Sequence, residues 1–581
     1  MREFQTYTVI YILFILLSFD NIALAENFLH NSEKVYDAVI VGGGISGLTA
    51  AYMLRDKNIL LLEKDKRFGG RVWSEKVDGV WYNIGTQYLI EEDDSFIKLL
   101  DELGIKRTLC SIEDVPIAAY LGGKFYKDLL DIPLSFKEKV DCLKVVSLAY
   151  RKMKIFKLPP EDPRWQELAS KNLADLFKCY DPDVMRLFYA YLKGACITKP
   201  ENTSAGIGVM LMGDIFNVAP FSFVEEGTQK VTDTMVEKLQ GRLINEALVK
   251  KVEEKDGFVY TFFQKNGKEH IVKSKKAILA TPAPITLSLI PDAPSWKKDA
   301  LAKTKYGSII TVNIFLKEIP WERFSGMLVE GKIFSGAIDA TYDIDFTLKD
   351  NEDRSYPKIL SFFISIPPED LEEQKVIFSK SDEEIVGLVI QDFESIMSEP
   401  TFRDYILDSR VTRFPIGEVG ITPEYFIELL PLLEKPVGNI HFCGDYTDRS
   451  SFLMGSVLSG FRVARELGST LVVSEEEEIR FAESSLWGKF GWISILLNTV
   501  LLLFGLSLRF MKVSQKKFLK KYGMLLSILG LVMLIVTLLF PYFMPPHQIV
   551  YQMLLLLTLA IVIVGFFILM LLQLIIRNSK G

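Results

Sequence analysis

Asp37-Ala-Val-Ile-Val41 is a short apolar run; Gly42-Gly43-Gly44-Ile45-Ser46-Gly47 follows it directly, and Leu48-Thr-Ala-Ala-Tyr-Met-Leu54 comes next. The β-branched run reads as a strand buried on both faces, and the last segment as a helix. Gly42, Gly44 and Gly47 thus have GxGxxG spacing in a strand–turn–helix context. The first glycine permits the tight turn, the second lets a pyrophosphate approach the backbone, and the third lets helix and strand pack closely. Ile45 and Ser46 stand at the helix N-terminus, where free N–H groups and a partial positive charge suit phosphate. A second apolar strand, Ile59-Leu-Leu-Leu62, ends in Glu63, 21 residues after Gly42. A carboxylate there accepts hydrogen bonds from the ribose hydroxyls of an adenosine.

NAD and FAD share this pattern, and the next residues separate them. Lys64-Asp-Lys-Arg67-Phe-Gly69-Gly70-Arg71 follows Glu63 at once. Glu63 followed by Arg-x-Gly-Gly-Arg resembles the FAD signature of the flavin-containing amine oxidase superfamily, which includes amine and polyamine oxidases, protoporphyrinogen oxidases and phytoene desaturases. The resemblance implies that Glu63 and Lys64 serve the adenosine end of FAD. Gly69 and Gly70 then let the chain pass close to the diphosphate and ribityl portion, and Arg71 adds positive charge there. The family often has arginine where this chain has Asp65.

Further segments resemble the family in order. Gly85-Thr86-Gln87-Tyr88, after a predicted strand at Val80–Ile84, is similar to the segment under the isoalloxazine ring. Gly227-Thr-Gln229 opens a helix leading to Leu248-Val249, and the resemblance implies that Val249 meets the adenine through its backbone. Asn266-Gly267 predicts a hairpin turn. Ala277–Pro282 is similar to the strand end where the chain leaves the FAD domain. Asn439-Ile-His-Phe-Cys443-Gly444-Asp445 is a predicted strand whose closing acid, by resemblance, binds the ribityl chain or a nearby phosphate. The helix start at Gly455-Ser456-Val457 would face the diphosphate and flavin O2, where its dipole stabilises negative charge. The matched segments run from Val35 to about Leu471, roughly three quarters of the chain.

The expected fold is α/β: a two-domain, FAD-binding Rossmann-type body of the amine-oxidase/glutathione-reductase kind, with a mixed α+β substrate domain and C-terminal transmembrane helices. The FAD-binding domain is expected at residues 34–110, 221–291 and 411–473, and the substrate domain at 111–220 and 292–410. In the substrate domain, Phe136–Phe156 and Leu168–Leu192 read as amphipathic helices, and Ser308–Phe315 and Lys358–Ile366 as strands.

Composition excludes other chemistries. Four scattered histidines make no HExxH helix, and five cysteines contain no CxxC, so no catalytic metal is predicted. The net charge of −7 is unevenly spread, because Gly488–Gly581 holds nine Lys/Arg and no acid, leaving −16 on the rest. An acidic body argues against nucleic acid as a partner. At the N-terminus, an apolar run from Tyr7 to Phe19 and Ala23-Leu-Ala25 predict a signal peptide over 1–25, or an uncleaved N-terminal anchor. Within 486–577, Phe490–Leu508, Gly523–Phe543 and Val550–Ile576 are uncharged runs of roughly spanning length. Arg509, Lys512, Lys516, Lys517, Lys520 and Lys521 lie in the first connection, which the positive-inside rule assigns to the cytoplasm. The expectation is an integral, multi-pass protein with its body on the exoplasmic side, its C-terminus cytoplasmic and the bilayer as a partner.

Flavin N5 accepts hydride, so no catalytic triad is required. Amine oxidases commonly carry a lysine near N5, at a register close to Ser288, and Ala283–Asp292 holds none. Cys443 reads as packing, so FAD is expected to bind non-covalently. These departures favour a membrane-bound FAD oxidase, dehydrogenase or desaturase acting on a lipophilic or amphipathic molecule, with oxygen or quinone as acceptor. The alternatives are an amine or polyamine oxidase, and a redox-neutral mutase or flavin-binding scaffold. Tyr88 and Arg413 are candidate pocket residues; no general base is assigned.

Overall fold

A computed structural model describes residues 34–470 apart from 91–92, 111–115, 157, 215–220, 343–355 and 399–400. The expected signal segment and the three expected spans lie outside the described residues. Among the described residues, no helix is long and apolar enough to cross a membrane.

Val35–Val41 is the centre of the first sheet, as its apolar run requires. It pairs in parallel with Ile59–Leu62 on one side and with the second half of Lys268–Leu279 on the other. Leu243–Ile244 extends the sheet beyond Ile59–Leu62. Lys268–Leu279 serves two partners along its other edge: Phe258–Lys265 in a hairpin, then Ile440–Phe442 in parallel. The hairpin turns at Asn266 and Gly267 with φ of 50° and 73°, the left-handed pair that the Asn-Gly sequence predicts. Leu248–Lys255 forms the outer edge, with a bulge between Val249 and Lys251.

A second sheet runs in the order Ile406–Phe414, Ser308–Leu316, Lys358–Ile366, Gly336–Asp339, Gly326–Val329, Ile117–Leu121, Lys124–Tyr126. One face is covered by the helix Asp382–Met397, whose Ile385, Val389 and Phe393 share a core with Ile310, Val312 and Ile314. Alternation sends Thr311 and Phe315 to the opposite face. There Thr311 Oγ1 donates to Ile84 O at 3.0 Å, and Phe315 meets Tyr82 edge-on at 5.3 Å. The second sheet therefore roofs the segment that leads into Gly85–Tyr88.

Three expectations need correction. The strand Ile406–Phe414 crosses the expected domain boundary at 411, because it pairs with Ser308–Leu316 along its whole length. Ser295–Lys303, expected with the substrate domain, packs Ala300 and Leu301 into the core of the first sheet with Leu279 and Phe442. Leu168–Leu192 is not one helical stretch but parts of Pro163–Ala169, Leu173–Phe177 and Pro182–Cys196. Asp162 and Asp181 cap two of these just before a proline, which is tolerated in a first turn and not in a helix interior. Phe136–Phe156 forms a helix of that span.

Lys297 locks this architecture from behind. It is 0% exposed, and its Nζ donates to Leu432 O, Leu433 O and Lys435 O at 2.9, 2.7 and 2.8 Å. The Nζ satisfies the closing carbonyls of the short helix Leu430–Leu433 and lies 3.5 Å over the Phe442 ring, and burial pushes its pKa down to about 6. Lys297→Met should cost about 3 kcal/mol, since three acceptors lose their buried donor. The check is a fall in the denaturant midpoint of the full chain at unchanged m-value.

Candidate functional site

The glycine loop is built by close approach. Gly42 has φ +108°, and a Cβ on Gly47 would stand 2.0 Å from Gly42 O. Around a Cβ on Gly44, by contrast, nothing lies within 4 Å. Gly44 caps the helix Ile45–Met53 without any side-chain acceptor, so that N-terminus is open to an anion. The double-glycine turn lies against it: Gly44 and Gly69 form a bridge, and a Cβ on Gly70 would come 3.1 Å from Gly44 Cα.

Glu63 fastens the loop. Its Oε2 accepts from Gly43 N at 2.7 Å and its Oε1 from Asp65 N at 2.8 Å, which leaves each oxygen a further lone pair. The edge strand is brought to the same place, because Ala247 N donates to Glu63 O at 2.8 Å; Val249 lies two residues on, at the bulge. Lys64 is not drawn in: its Nζ pairs with Asp65 at 2.7 Å on the surface. With a carboxylate one residue away, that exposed pairing is the shortest available to it.

At the other end, Arg71 Nη1 lies 2.8 Å from Asp445 Oδ2 and 4.0 Å from Glu418 Oε2, and it donates to Gly417 O. Burial works against the guanidinium's charge, but the two carboxylates outweigh it and hold its pKa above the usual value. Glu418 is pushed up to about 7 by burial, against Arg71 and with Asp445. Tyr306 OH accepts from Ala283 N at 3.1 Å, and Tyr446 OH lies 3.2 Å from Thr286 Oγ1. Burial raises both phenols, so they remain protonated donors.

Gly85 and Thr86 are fixed by contacts with distant segments. A Cβ on Gly85 would fall 1.8 Å from Arg71 O, and Thr228 Oγ1 donates to Thr86 O at 2.9 Å. Gln87 folds back on its own turn, with Nε2 donating to Gly85 O at 2.7 Å, and Tyr88 lies 5.9 Å from Phe223. The helix Phe452–Glu466 starts after Ser451 and Phe452, both at φ 51° without being glycine. Such a pair costs about 1–3 kcal/mol per residue and persists where its surroundings impose it. Ser451 lies beside the buried Tyr425 phenol, and no side chain caps this helix. Gly455, Ser456 and Val457 are buried in its first turns, with Ser456 Oγ donating to Phe452 O at 3.0 Å. Gly460 lets the helix cross Ile45–Met53, since a Cβ there would lie 2.8 Å from Ser46 O. Gly444 N is held by Ser459 Oγ at 2.9 Å.

Hydrogen bonds and close approaches thus join Gly42–Gly47 to Glu63 and to the double-glycine turn, and Arg71 to Gly85 and Asp445, with two helix N-termini that no side chain caps. The sequence model of the family described as flavin containing amine oxidoreductase matches residues 45–468. The chain belongs to this family. It is an FAD-dependent oxidoreductase. The flavin-containing amine oxidase of Oncorhynchus mykiss is 24% identical over 477 residues, covering 75% of this chain and 86% of that protein. Flavin-containing amine oxidase A of Equus caballus is 24% identical over 485 residues, covering 77% and 88%. Among solved structures, putrescine oxidase bound to putrescine matches with TM-score 0.60 and 20% identity, over 75% of this chain and 99% of that one. Cyclohexylamine oxidase from Brevibacterium oxydans matches with TM-score 0.61 and 17% identity, over 75% and 99%.

FAD fits the residues present. The open face of Gly44 and the acceptor-free helix starts are groups a dinucleotide would cover or satisfy. Arg413 does not belong to this family site: it pairs with Asp382 and donates to Lys380 O at 2.8 Å, on the helix-covered face of the second sheet. Four residues went unassigned in the sequence. Arg67 pins the double-glycine turn through Phe68 O, Val72 O and Gly70 O at 2.9, 3.0 and 2.5 Å, a role its place in the motif could have signalled. Glu418, Tyr306 and Tyr446 belong to no recognised motif.

The two helix-start glycines should respond differently to alanine. Gly47→Ala should lower apoprotein stability by about 2 kcal/mol through overpacking. Gly44→Ala, with open space around it, should leave the melting temperature near wild type and weaken FAD at least about tenfold, or 1.4 kcal/mol. Thermal melts and FAD titrations of both variants make the comparison.

Proposed function

We propose that the chain takes hydride from the carbon bearing an amine, using FAD held without a covalent link. The observation that carries this reading is the match of residues 45–468 to the flavin containing amine oxidoreductase family; a narrow pocket beside Gln87, lined by Trp81, Tyr82, Tyr88, Phe223 and Glu225, is consistent with it. Aromatic faces and a carboxylate together suit an alkylammonium group, through cation–π attraction and ion pairing. The printed names of the relatives, amine oxidases, support the same substrate class.

FAD would supply the hydride-accepting ring. Gly42–Gly47 and the N-terminus of Ile45–Met53 would hold its diphosphate, and Glu63 with the Val249 backbone its adenosine. Arg71 and Asp445 would bind the ribityl end, and Gly85–Tyr88 with Gly455–Val457 would flank the ring. Glu225 would orient the ammonium, while the second sheet excludes water above the turn at Ile84. Non-covalent binding is supported by Cys443, the only cysteine from Val411 to Asp445; burial pushes its thiol up to about 12, which leaves it unreactive.

A second reading has its own support. The stretch Ala283–Asp292, where the resemblance leads one to expect the amine-oxidase lysine, holds none; Ser288 within it is exposed, and its Oγ donates to Ile285 O at 2.7 Å. With three uncharged apolar runs in the tail, this favours a lipophilic hydride donor met at a bilayer. On that reading the chain is a multi-pass membrane protein with its body on the exoplasmic face, and oxygen or quinone takes the electrons.

Anaerobic bleaching of the bound flavin by a panel of diamines, aromatic amines, terpenoids and tetrapyrroles separates these readings. The expected outcome is bleaching by an amine, with peroxide released on aeration. Glu225→Gln should raise KM for that amine about tenfold at nearly unchanged kcat. Bleaching by neutral lipophiles alone would transfer the assignment to the second reading. Turnover without any electron acceptor would instead indicate redox-neutral use of the flavin.

A further inference from the structure

Glu418 is placed where one guanidinium faces two carboxylates. It sits in the turn after Ile406–Phe414, held by Gly307 N donating to its carbonyl at 2.8 Å and by a bridge between Tyr306 and Val419. Asp445 has the close contact with Arg71, at 2.8 Å; Glu418 Oε2 stands off at 4.0 Å, buried and without a hydrogen-bond partner. Arg71 cannot neutralise both acids. Of the two, Glu418 is the one whose charge is poorly met, because a buried carboxylate oxygen with no donor loses its hydration without replacement. The charged and titratable groups facing it are Arg71 from the double-glycine turn, Asp445 after Ile440–Phe442, and Tyr306, whose phenol burial keeps protonated. The side chains of Arg71 and Glu418 are still 32% and 29% exposed, surface that a bound dinucleotide can cover.

We infer that Glu418 is the charge-balancing group of the site, taking up one proton from water when the flavin is reduced and releasing it when the flavin is reoxidised. The inference rests on the FAD placement proposed above. In the forward step the substrate C–H bond would give up two electrons and one proton to the bound FAD, so the substrate would be oxidised and the cofactor reduced. Arg71 and Asp445 would keep their pairing at the ribityl end, and the carboxylate of Glu418 would take one proton from water to become a carboxylic acid. Oxygen or a quinone later takes the two electrons, and the acid returns its proton to water. Burial that pushes this carboxyl up to about 7 puts the exchange in the range where it can respond to that reduction.

The test is spectroelectrochemical titration of the full FAD-loaded chain with dithionite, from about pH 6 to pH 8. One extra proton per two electrons adds about 30 mV per pH unit to the slope of midpoint potential against pH. Wild type should show that excess over Glu418→Gln in part of this range, and Glu418→Asp should keep it. Infrared difference spectra should show a protonated-carboxyl C=O band appearing on reduction of wild type and missing in Glu418→Gln. Equal slopes in loaded wild type and Glu418→Gln, or no such band in wild type, overturn the inference and leave the FAD reading standing. Should Glu418→Gln fail to fold, the wild-type band decides alone. A chain that takes up no FAD overturns both.

Discussion

The contact between Arg71 and Asp445 joins residues 374 positions apart and sets the geometry of everything near it. Asp445 has 2% of its side chain exposed, so its charge depends on that guanidinium. Removing Arg71 would leave Asp445 buried without its cation, a loss of about 3–5 kcal/mol in comparable pairs, whereas removing Asp445 would leave Arg71 with Glu418. The pair joins the double-glycine turn to the end of Ile440–Phe442, a strand held by its parallel pairing with Lys268–Leu279. The proposed FAD site therefore draws on several segments of the first sheet and not on any one. The glycines follow from the same constraint: at Gly47 and Gly85 a single methyl group would collide with backbone oxygens at 2.0 and 1.8 Å.

The two sheets divide the labour. The first supplies the crevice and its two helix N-termini, and the second lays a mixed polar and apolar face over Ile84 and Tyr82. Where they meet, aromatic side chains gather beside Gln87 with one carboxylate, Glu225. Behind them Arg71 is closely paired with Asp445, while Glu418 Oε2 stands 4.0 Å off. Lys297 donates to three backbone carbonyls, lies over the Phe442 ring and serves the scaffold.

How far the fold could be read from the sequence depends on the range of the interactions. Strand, turn and helix at Val35–Met53, the Asn266-Gly267 hairpin and the strand Lys358–Ile366 are local patterns, and each formed as its residues dictate. The crevice was legible because FAD recognition uses short glycine turns that must be contiguous in sequence. Glu418 and Tyr306 escaped notice because they reach the site through pairings such as Tyr306 with Val419, whereas Tyr446 stands directly after Asp445. Composition carries no trace of those. The boundary at 411 failed for the same reason: a strand's membership is decided by its partner, here Ser308–Leu316. Pro182, in contrast, was a local signal that should have divided Leu168–Leu192 from the outset.

The account's central claim is that separate turns form one extended cradle spanning both ends of FAD, from Glu63 to Asp445. Fluorescence titration of flavin-stripped full-length chain with FAD, FMN and riboflavin tests it directly. The cradle predicts one tight FAD site per chain, with FMN and riboflavin bound far more weakly because they cannot reach Glu63 and Val249. Equal affinity for all three flavins, or no binding of FAD, would contradict it.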